Sequence, residues 1–503
     1  MASKNDTGGS GRGSGSVRSA ALWAAGSQYC LFAIQFATSV IISRFFLKPD
    51  EIGLFSVALA AAMIVAIIRD LGLTRYIGRH PTADADTVRH CTVIAVAFSF
   101  VIGALIMALA APAARFYGEP RLFGILGLIA ASYVLAPWSI VPVALLSRRL
   151  DFRATFTIDF AGAAANSACA LTLAVLGFSA ESLAWGMIAQ AAMRAIVAQA
   201  WQPTPFSLKV RPDRLREIAG FGSSSALLYF SGGISLRMPD LIVGRMLGME
   251  AAGLFSRGVA LAGQLHNLVA GAVSAIYYPA FARLREEGRD LGPYYERVVA
   301  AHGAIVWPAM VLLAVLSQPV ILLLYGEGWE AAAPLLAWVA LAECCFVALP
   351  LHMDLPILMG RLRQLLWFNL ADTVLAVVVL AVGAKIGIEA AAASRIVWGL
   401  GWIAIYAGWM RRLVGFRWPA MIRIYLGSAA VAAVTALPAL YAVHVWRTPA
   451  TLGFGGLVLA SAASGVAWLA AICVLRHPAR DDLTSTAAHL VEPLRHRLRP
   501  RAA

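Results

Sequence analysis

Fourteen apolar stretches, most of them over twenty residues long, recur along this chain of 503 residues, separated by short polar loops. A helix rises ~1.5 Å per residue and the hydrocarbon layer of a bilayer is ~30 Å thick, so each stretch can cross it. They run roughly over 20–43, 53–75, 91–112, 121–145, 155–178, 182–204, 219–243, 251–277, 299–325, 331–352, 364–386, 388–410, 419–442 and 452–475. Open strands would leave backbone groups unpaired in lipid, so the expected elements are helices. Only 14% of residues are charged, against 60% hydrophobic. A soluble domain has about 25% charged residues, so a soluble enzyme or cytosolic binding module is excluded.

The basic residues test the parse independently. With the N-terminus in the cytoplasm, 30 of the 41 Lys and Arg residues fall in cytoplasmic segments. Seven lie in outer loops or at outer helix ends: Arg44, Lys48, Arg115, Arg121, Arg245, Lys385 and Arg447. Four lie within helices: Arg194, Arg237, Arg257 and Arg395. Cytoplasmic loops carry the positive excess in membrane proteins, and a miscounted span would invert the alternation from that point on. The expectation is therefore an all-α integral membrane protein with fourteen transmembrane helices and both termini inside. The net charge of +14 orients the chain and meets anionic headgroups; no nucleic-acid partner is expected. Residues 1–19 read as a disordered Gly/Ser-rich tail and 476–503 as a basic cytoplasmic tail. No loop exceeds about 25 residues, which leaves no room for a soluble catalytic domain. The six cysteines all sit in apolar stretches without metal-ligand spacing, and read as small packing residues.

Internal repeats organise the spans. Gly53-Leu54-Phe55-Ser56 reappears as Gly253-Leu254-Phe255-Ser256, and Arg44 as Arg245. Tyr117-Gly118-Glu119 before the fourth span matches Tyr325-Gly326-Glu327 before the tenth. The run Pro142–Arg149 lines up with Pro356–Arg363, and Arg194 and Trp201 match Arg395 and Trp402. The order is kept with small insertions. Six spans per copy is an even number, so the two copies face the same way. Two six-helix lobes follow, 20–204 and 205–410, with an added helix pair over 411–475. Paired bundles of this kind suit alternating access around a midplane site.

Four segments carry a resemblance: DLIVGRMLGMEAAGLFSRG (240–258), YYPAFARL (277–284), LYGEGWEAAAPLLAW (324–338) and VPVALLSRRLDF (141–152). Through them the chain resembles the polysaccharide (O-antigen type) flippases of the multidrug/oligosaccharidyl-lipid/polysaccharide exporter superfamily. The ALLSRRLDF run is similar to the exopolysaccharide-exporting subgroup. The resemblance implies movement of undecaprenyl-pyrophosphate-linked oligosaccharide from the inner to the outer leaflet of a bacterial plasma membrane. Its implied partners are the lipid-linked oligosaccharide, membrane lipids, and a polymerase and co-polymerase of the same export route.

Charges inside a membrane cost at least ~2.5–3.5 kcal/mol and mark bundle interiors or watery paths. Arg237 and Asp240 are neighbours one turn apart, next to Pro239, whose missing N–H favours a kink. They read either as a contact for pyrophosphate or acidic sugar, or as a pair that neutralises itself. Arg194 and Arg395 hold equivalent places in the two copies, as a paired cationic site or as packing residues. Arg257 and Arg245 lie near the outer end of their helices as candidate mouth residues. Asp159 and Asp372 are near-equivalents, open as proton or sodium sites or as counter-ions for the arginines. Glu343 carries the same ambiguity, and His266 is a proton relay or a packed histidine. Arg69, Asp70 and Arg75 read as topology or gating residues at an inner helix end.

No phosphate-cradling GxxxxGK[ST] loop, HExxH or embedded Ser/His/Asp set is present. No cofactor, metal site or ATP hydrolysis is expected, and coupling would come from a proton or sodium gradient. Three readings compete with the polysaccharide flippase. They are a peptidoglycan-precursor flippase, a multidrug or cation exporter of the same fold, and a polysaccharide polymerase or ligase, which usually needs a large outer loop.

Overall fold

A computed structural model of the chain describes residues 13–66, 77, 84–149, 151–205, 233–446 and 452–480. Arg69, Asp70, Arg75 and Arg447 lie outside the described residues. Every element described is helical, and the chain divides into two compact units, Met1–Arg237 and Met238–Ala503.

The first unit contains α1 (Gly13–Phe45), α2 (Pro49–Ala66), α3 (Ala85–Tyr117), α4 (Arg121–Leu135), α5 (Pro137–Arg148), α6 (Phe152–Val175) and α7 (Glu181–Trp201). Helix α1 begins inside the segment read as a polar tail. Asp84 starts α3 by accepting from the Thr87 N–H at 3.0 Å, and Gly118 ends it in the left-handed conformation at φ +71°. The stretch expected as one span over 121–145 is two helices bent by 44°. Pro137 has no N–H to give the Tyr133 carbonyl, which accepts instead from Ala136 in a tighter turn. Small residues set the closest approaches. A Cβ on Gly186 of α7 would stand 3.1 Å from Ala170 and 3.2 Å from the Asn166 carbonyl of α6.

A helix over 233–247, here α8, carries the boundary between the units. The second unit continues with α9 (Met249–Glu286), α10 (Gly292–Val315), α11 (Ser317–Tyr325), α12 (Ala332–Phe346), α13 (Asp354–Leu358), α14 (Leu362–Ile386), α15 (Ile388–Val414), α16 (Trp418–Tyr441) and α17 (Gly453–Val474). A single π turn, Ala442–Trp446, extends α16. The central α12 packs against α9, α10 and α15. Helices α16 and α17 pack on one another and on α10, where the Trp468 indole N–H donates to the Ala304 carbonyl at 2.7 Å.

The tenth stretch is not one continuous helix. Helix α12 ends at Phe346, and irregular backbone runs over 347–353 before α13. That backbone is buried, so its carbonyls need donors. Tyr295 of α10 donates to the Pro350 carbonyl at 3.1 Å, and Tyr425 of α16 to the Ala348 carbonyl at 2.8 Å.

Along α14, Leu370, Val374, Val378, Val382 and Ile386 form an exposed apolar stripe, 47–78% accessible, at a four-residue interval. The opposite face buries Leu365, Asn369, Thr373, Ala376, Leu380 and Gly383. Such a face is costly in water and costs nothing against acyl chains. Among the described residues eight helices are long and apolar enough to cross a membrane, or nine if the bent α4–α5 pair is one span. Helices α7 and α9 are not among those eight. Each carries polar residues of the candidate site, Gln190 and Arg194 on α7 and Arg257 and His266 on α9.

Candidate functional site

In the first unit the polar residues of α6 and α7 face one another in a ladder. Asp159 and Arg194 form an ion pair at 2.8 Å, both about one-third exposed. A turn or two along, the Asn166 amide donates to the Gln190 side-chain oxygen at 3.1 Å. Thr38 of α1 completes the ladder, donating to Ser167 at 2.7 Å. Gly162 makes the ion pair possible, because a Cβ there would stand 2.4 Å from Arg194 Cγ. The missing side chain gives the aliphatic stem of Arg194 a notch in α6.

At another end of the same unit, Arg121 donates to Ser179 at 2.6 Å and approaches Glu181 at 3.4 Å, while Ser179 donates to Glu51. Glu51 also accepts from the Lys48 N–H at 2.9 Å, at the start of α2.

The second unit holds a three-helix cluster. Glu343 of α12 sits between His266 of α9, at 2.8 Å, and Arg395 of α15, at 3.1 Å. The Glu343 and Arg395 side chains are each only 10% exposed. The guanidinium stacks near two rings, 5.1 Å from the Trp398 centroid and 5.9 Å from that of Phe346. The Trp398 indole donates to Asp372 of α14 at 2.7 Å. Beyond it Tyr406 donates to Asn369, and the His352 ring packs edge-on against Trp402 and Tyr406.

The repeat-related arginines therefore have different counter-ions. Arg194 uses Asp159, whereas Arg395 uses Glu343, which leaves Asp372 to the indole of Trp398. Helix rotation decides this, and spacing alone gives no rotation between helices. Other repeat marks fall at like places in the two units. Gly53 and Gly253 are each four residues into α2 and α9, and Gly118 and Gly326 each end a helix with positive φ.

Of the remaining candidates, Arg237 and Asp240 are half-buried on α8, and Arg245 on the same helix is exposed. Arg257 of α9 lies 5.9 Å from the ring centroid of Tyr325. Residues not singled out from the sequence join the site, among them Asn166, Gln190, Trp398 and His302. His302 of α10 is buried, 6.4 Å from His266 ring to ring, and neither of its ring nitrogens has a hydrogen-bond partner among the described residues. A histidine inside a predicted span was the available signal.

Chemically, the second unit's cluster can hold or release a proton on a carboxylate or imidazole, and in each unit one guanidinium becomes available to an anion when its carboxylate is neutralised.

The sequence model of a family described as "Polysaccharide biosynthesis protein" matches residues 41–334. The succinoglycan biosynthesis transport protein ExoT of Rhizobium meliloti (strain 1021) is 24% identical over 386 residues, 75% of each chain. The lipopolysaccharide biosynthesis protein WzxC of Escherichia coli (strain K12) is 22% identical over 324 residues, 63% of this chain and 65% of that protein. Among solved structures, a lipid II flippase, MurJ, in an inward closed conformation superposes with a TM-score of 0.74 at 9% identity, covering 92% of this chain and all of that one. An inward-facing multidrug resistance MATE family transporter of the MOP superfamily gives 0.64 at 15% identity, over 76% of this chain and 94% of that one. These two likenesses are of fold. Apolar membrane-capable helices, the exposed apolar stripe of α14 and a family match over more than half the length converge: this multi-pass bacterial membrane protein belongs to the polysaccharide biosynthesis protein family.

Proposed function

We propose that the chain is an alternating-access flippase. Its cargo is an undecaprenyl-pyrophosphate-linked oligosaccharide repeat unit, moved from the inner to the outer leaflet of the plasma membrane for exopolysaccharide, capsule or lipopolysaccharide assembly. The alignment with a succinoglycan transport protein over three-quarters of both chains is the observation that carries this reading. In it the fourteen helices run with both termini inside, as lobes 20–204 and 205–410 with the pair 411–475 and the cytoplasmic tails. Arg237, Asp240, Arg194, Arg395, Arg257 and Arg245 are the contacts for pyrophosphate and acidic sugar.

The ion pairs suggest how cargo and coupling ion are linked. Arg194 and Arg395 are neutralised by Asp159 and Glu343, so neither attracts an anion strongly while paired. Protonation of Asp159, or of the Glu343–His266 pair, frees a guanidinium for a phosphate fork. Deprotonation recaptures the arginine and expels the anion. Asp372 is the further carboxyl available for a proton or sodium ion. No step here requires covalent chemistry by the chain.

A clean deletion tests the function. It should strand repeat units on the inner leaflet and leave none at the surface, whereas loss of a polymerase leaves single units there. Normal surface polymer without a compensating paralogue would reject the proposal. Arg237→Ala should impair transport while leaving insertion intact.

A second reading, a peptidoglycan-precursor flippase, is favoured by the fold likeness to a lipid II flippase. Rescue of a strain depleted of its own lipid II flippase would support it.

A further inference from the structure

Helices α6 and α7 hold an amide pair whose bonding capacity is only partly used. The Asn166 amide donates to the Gln190 side-chain oxygen at 3.1 Å. A primary amide offers two N–H donors and an oxygen that can accept twice. The one bond leaves both Gln190 N–H groups and the Asn166 oxygen without a partner among the described residues, and neither atom is sealed from the surface. Joining two helices needs one donor and one acceptor. The remaining groups of the pair are spare for that purpose.

Two glycines make room for them. A Cβ on Gly186 of α7 would stand 3.3 Å from Asn166 Oδ1, and a Cβ on Gly162 of α6 would stand 3.5 Å from Gln190 Cγ. Each amide thus lies over a bare patch of the opposite helix. On α6, Asp159, Gly162 and Asn166 share one face at intervals of three and four residues, whereas the exposed Phe160, Ala168 and Val175 lie around the other side. Amide groups without partners are costly against acyl chains. The apolar side of α6 is therefore its lipid side, and the half-buried amides look onto a polar medium.

The charge on this face is balanced. The ionised groups of the ladder, Asp159 and Arg194, pair with one another at 2.8 Å, and the amides are neutral. A ligand suited to the spare groups is itself neutral and both accepts and donates hydrogen bonds. Neighbouring hydroxyls of a sugar ring match a donor amide beside an acceptor oxygen. Along their helices Gln190 is roughly 6 Å from Arg194 and Asn166 roughly 10 Å from Asp159, at ~1.5 Å per residue. An anion held by Arg194 would leave the sugar attached to it within reach of both amides.

We infer that Asn166 and Gln190 read the hydroxyls of a neutral sugar residue in the cargo, the Gln190 N–H groups donating to one hydroxyl and the Asn166 oxygen accepting from another. This deepens the proposed function and rests on its reading of the cargo as a lipid-linked oligosaccharide.

Binding to the purified full-length chain in detergent tests it, with two probes: undecaprenyl pyrophosphate and the same lipid carrying one galactose. The native chain should bind the galactosylated lipid at least about fivefold more tightly, since each neutral hydrogen bond contributes roughly two- to tenfold. In Gln190→Met, which keeps the length and loses the amide, and in N166L/Q190L, that preference should fall below about twofold, with affinity for the bare lipid unchanged. Gln190→Met decides alone where the double variant does not elute as the native chain does. A native chain without the preference overturns the inference. So does a preference that survives in Gln190→Met, whatever its unfolding temperature, because the pair is then an inter-helix bond only. Equal loss of affinity for both probes in Gln190→Met also overturns it, because the pair then shapes the whole site and reads no sugar. The assay needs no transport. Normal surface polymer in a deletion, beside an amide-dependent preference, would sink the proposed function and leave this site standing; stranded repeat units beside an amide-independent preference would do the reverse.

Discussion

Replacing Glu343 by alanine strips the Arg395 guanidinium of the carboxylate 3.1 Å away and takes the partner of His266 with it. Both charged side chains are 10% exposed, so water does not fill the gap at low cost. Breaking a buried ion pair by removing one member costs about 3–5 kcal/mol, because the remaining charge is stranded. The ring contacts of Arg395 are present with or without Glu343 and do not reduce this cost. A loss of about 3–5 kcal/mol is therefore expected for E343A. The double variant E343L/R395M, which replaces both charges by apolar groups of like volume, should lie within about 1.5 kcal/mol of the native chain. Unfolding in mixed micelles, with the chain followed by tryptophan fluorescence, gives both numbers. The double variant should nonetheless lose transport. If E343A and E343L/R395M are destabilised equally, the charges are not coupled and the linkage of Arg395 to proton binding fails.

Gly162→Val should push Arg194 from its notch, since even a Cβ stands 2.4 Å from Arg194 Cγ. Transport should fall at least tenfold, and partial rescue by Gly162→Ala would argue against this fit. Trp398→Phe removes the donor to Asp372 but keeps a ring beside Arg395. A loss of about 1–3 kcal/mol is expected in the same micelle assay, reversed in W398F/D372L. His477, beyond the end of α17, is buried against Ser428, and burial holds its imidazole below the ordinary value of 6.5, only partly offset by its bond to the Ile424 carbonyl. The unfolded chain then takes the proton first, so this contribution to stability is present above about pH 6.5 and is lost as pH falls. Unfolding midpoints from pH 8 to 5 should drop less steeply in His477→Asn; parallel curves would refute this assignment.

Much of the helical layout was legible from the chain alone, because runs such as 364–386 and 452–475 are apolar enough to have one outcome in lipid. The observed helices Leu362–Ile386 and Gly453–Val474 differ from them by a residue or two. The interruption over 347–353 was not legible. It persists because Tyr295 and Tyr425, 55 and 77 residues away, supply hydroxyls to its carbonyls. No local rule connects positions so distant. Site residues divide in the same way. That Arg194 and Arg395 sit within helices followed from spacing, and that Asp159 serves one and Glu343 the other required helix rotations that only packing sets. Gly162 shows the reason, since the notch it leaves fixes which face of α7 meets α6.

Arg194 and Arg395 have unlike counter-ions in the two units. In the first unit the acid of α6 and the base of α7 pair with one another. In the second the base of α15 pairs with Glu343 of α12, and the acid of α14 accepts from an indole. A duplicated machine whose rungs stayed identical would answer any stimulus symmetrically. Under the proposed function, the unlike partners mean that protonating the carboxylate of one unit need not release the arginine of the other.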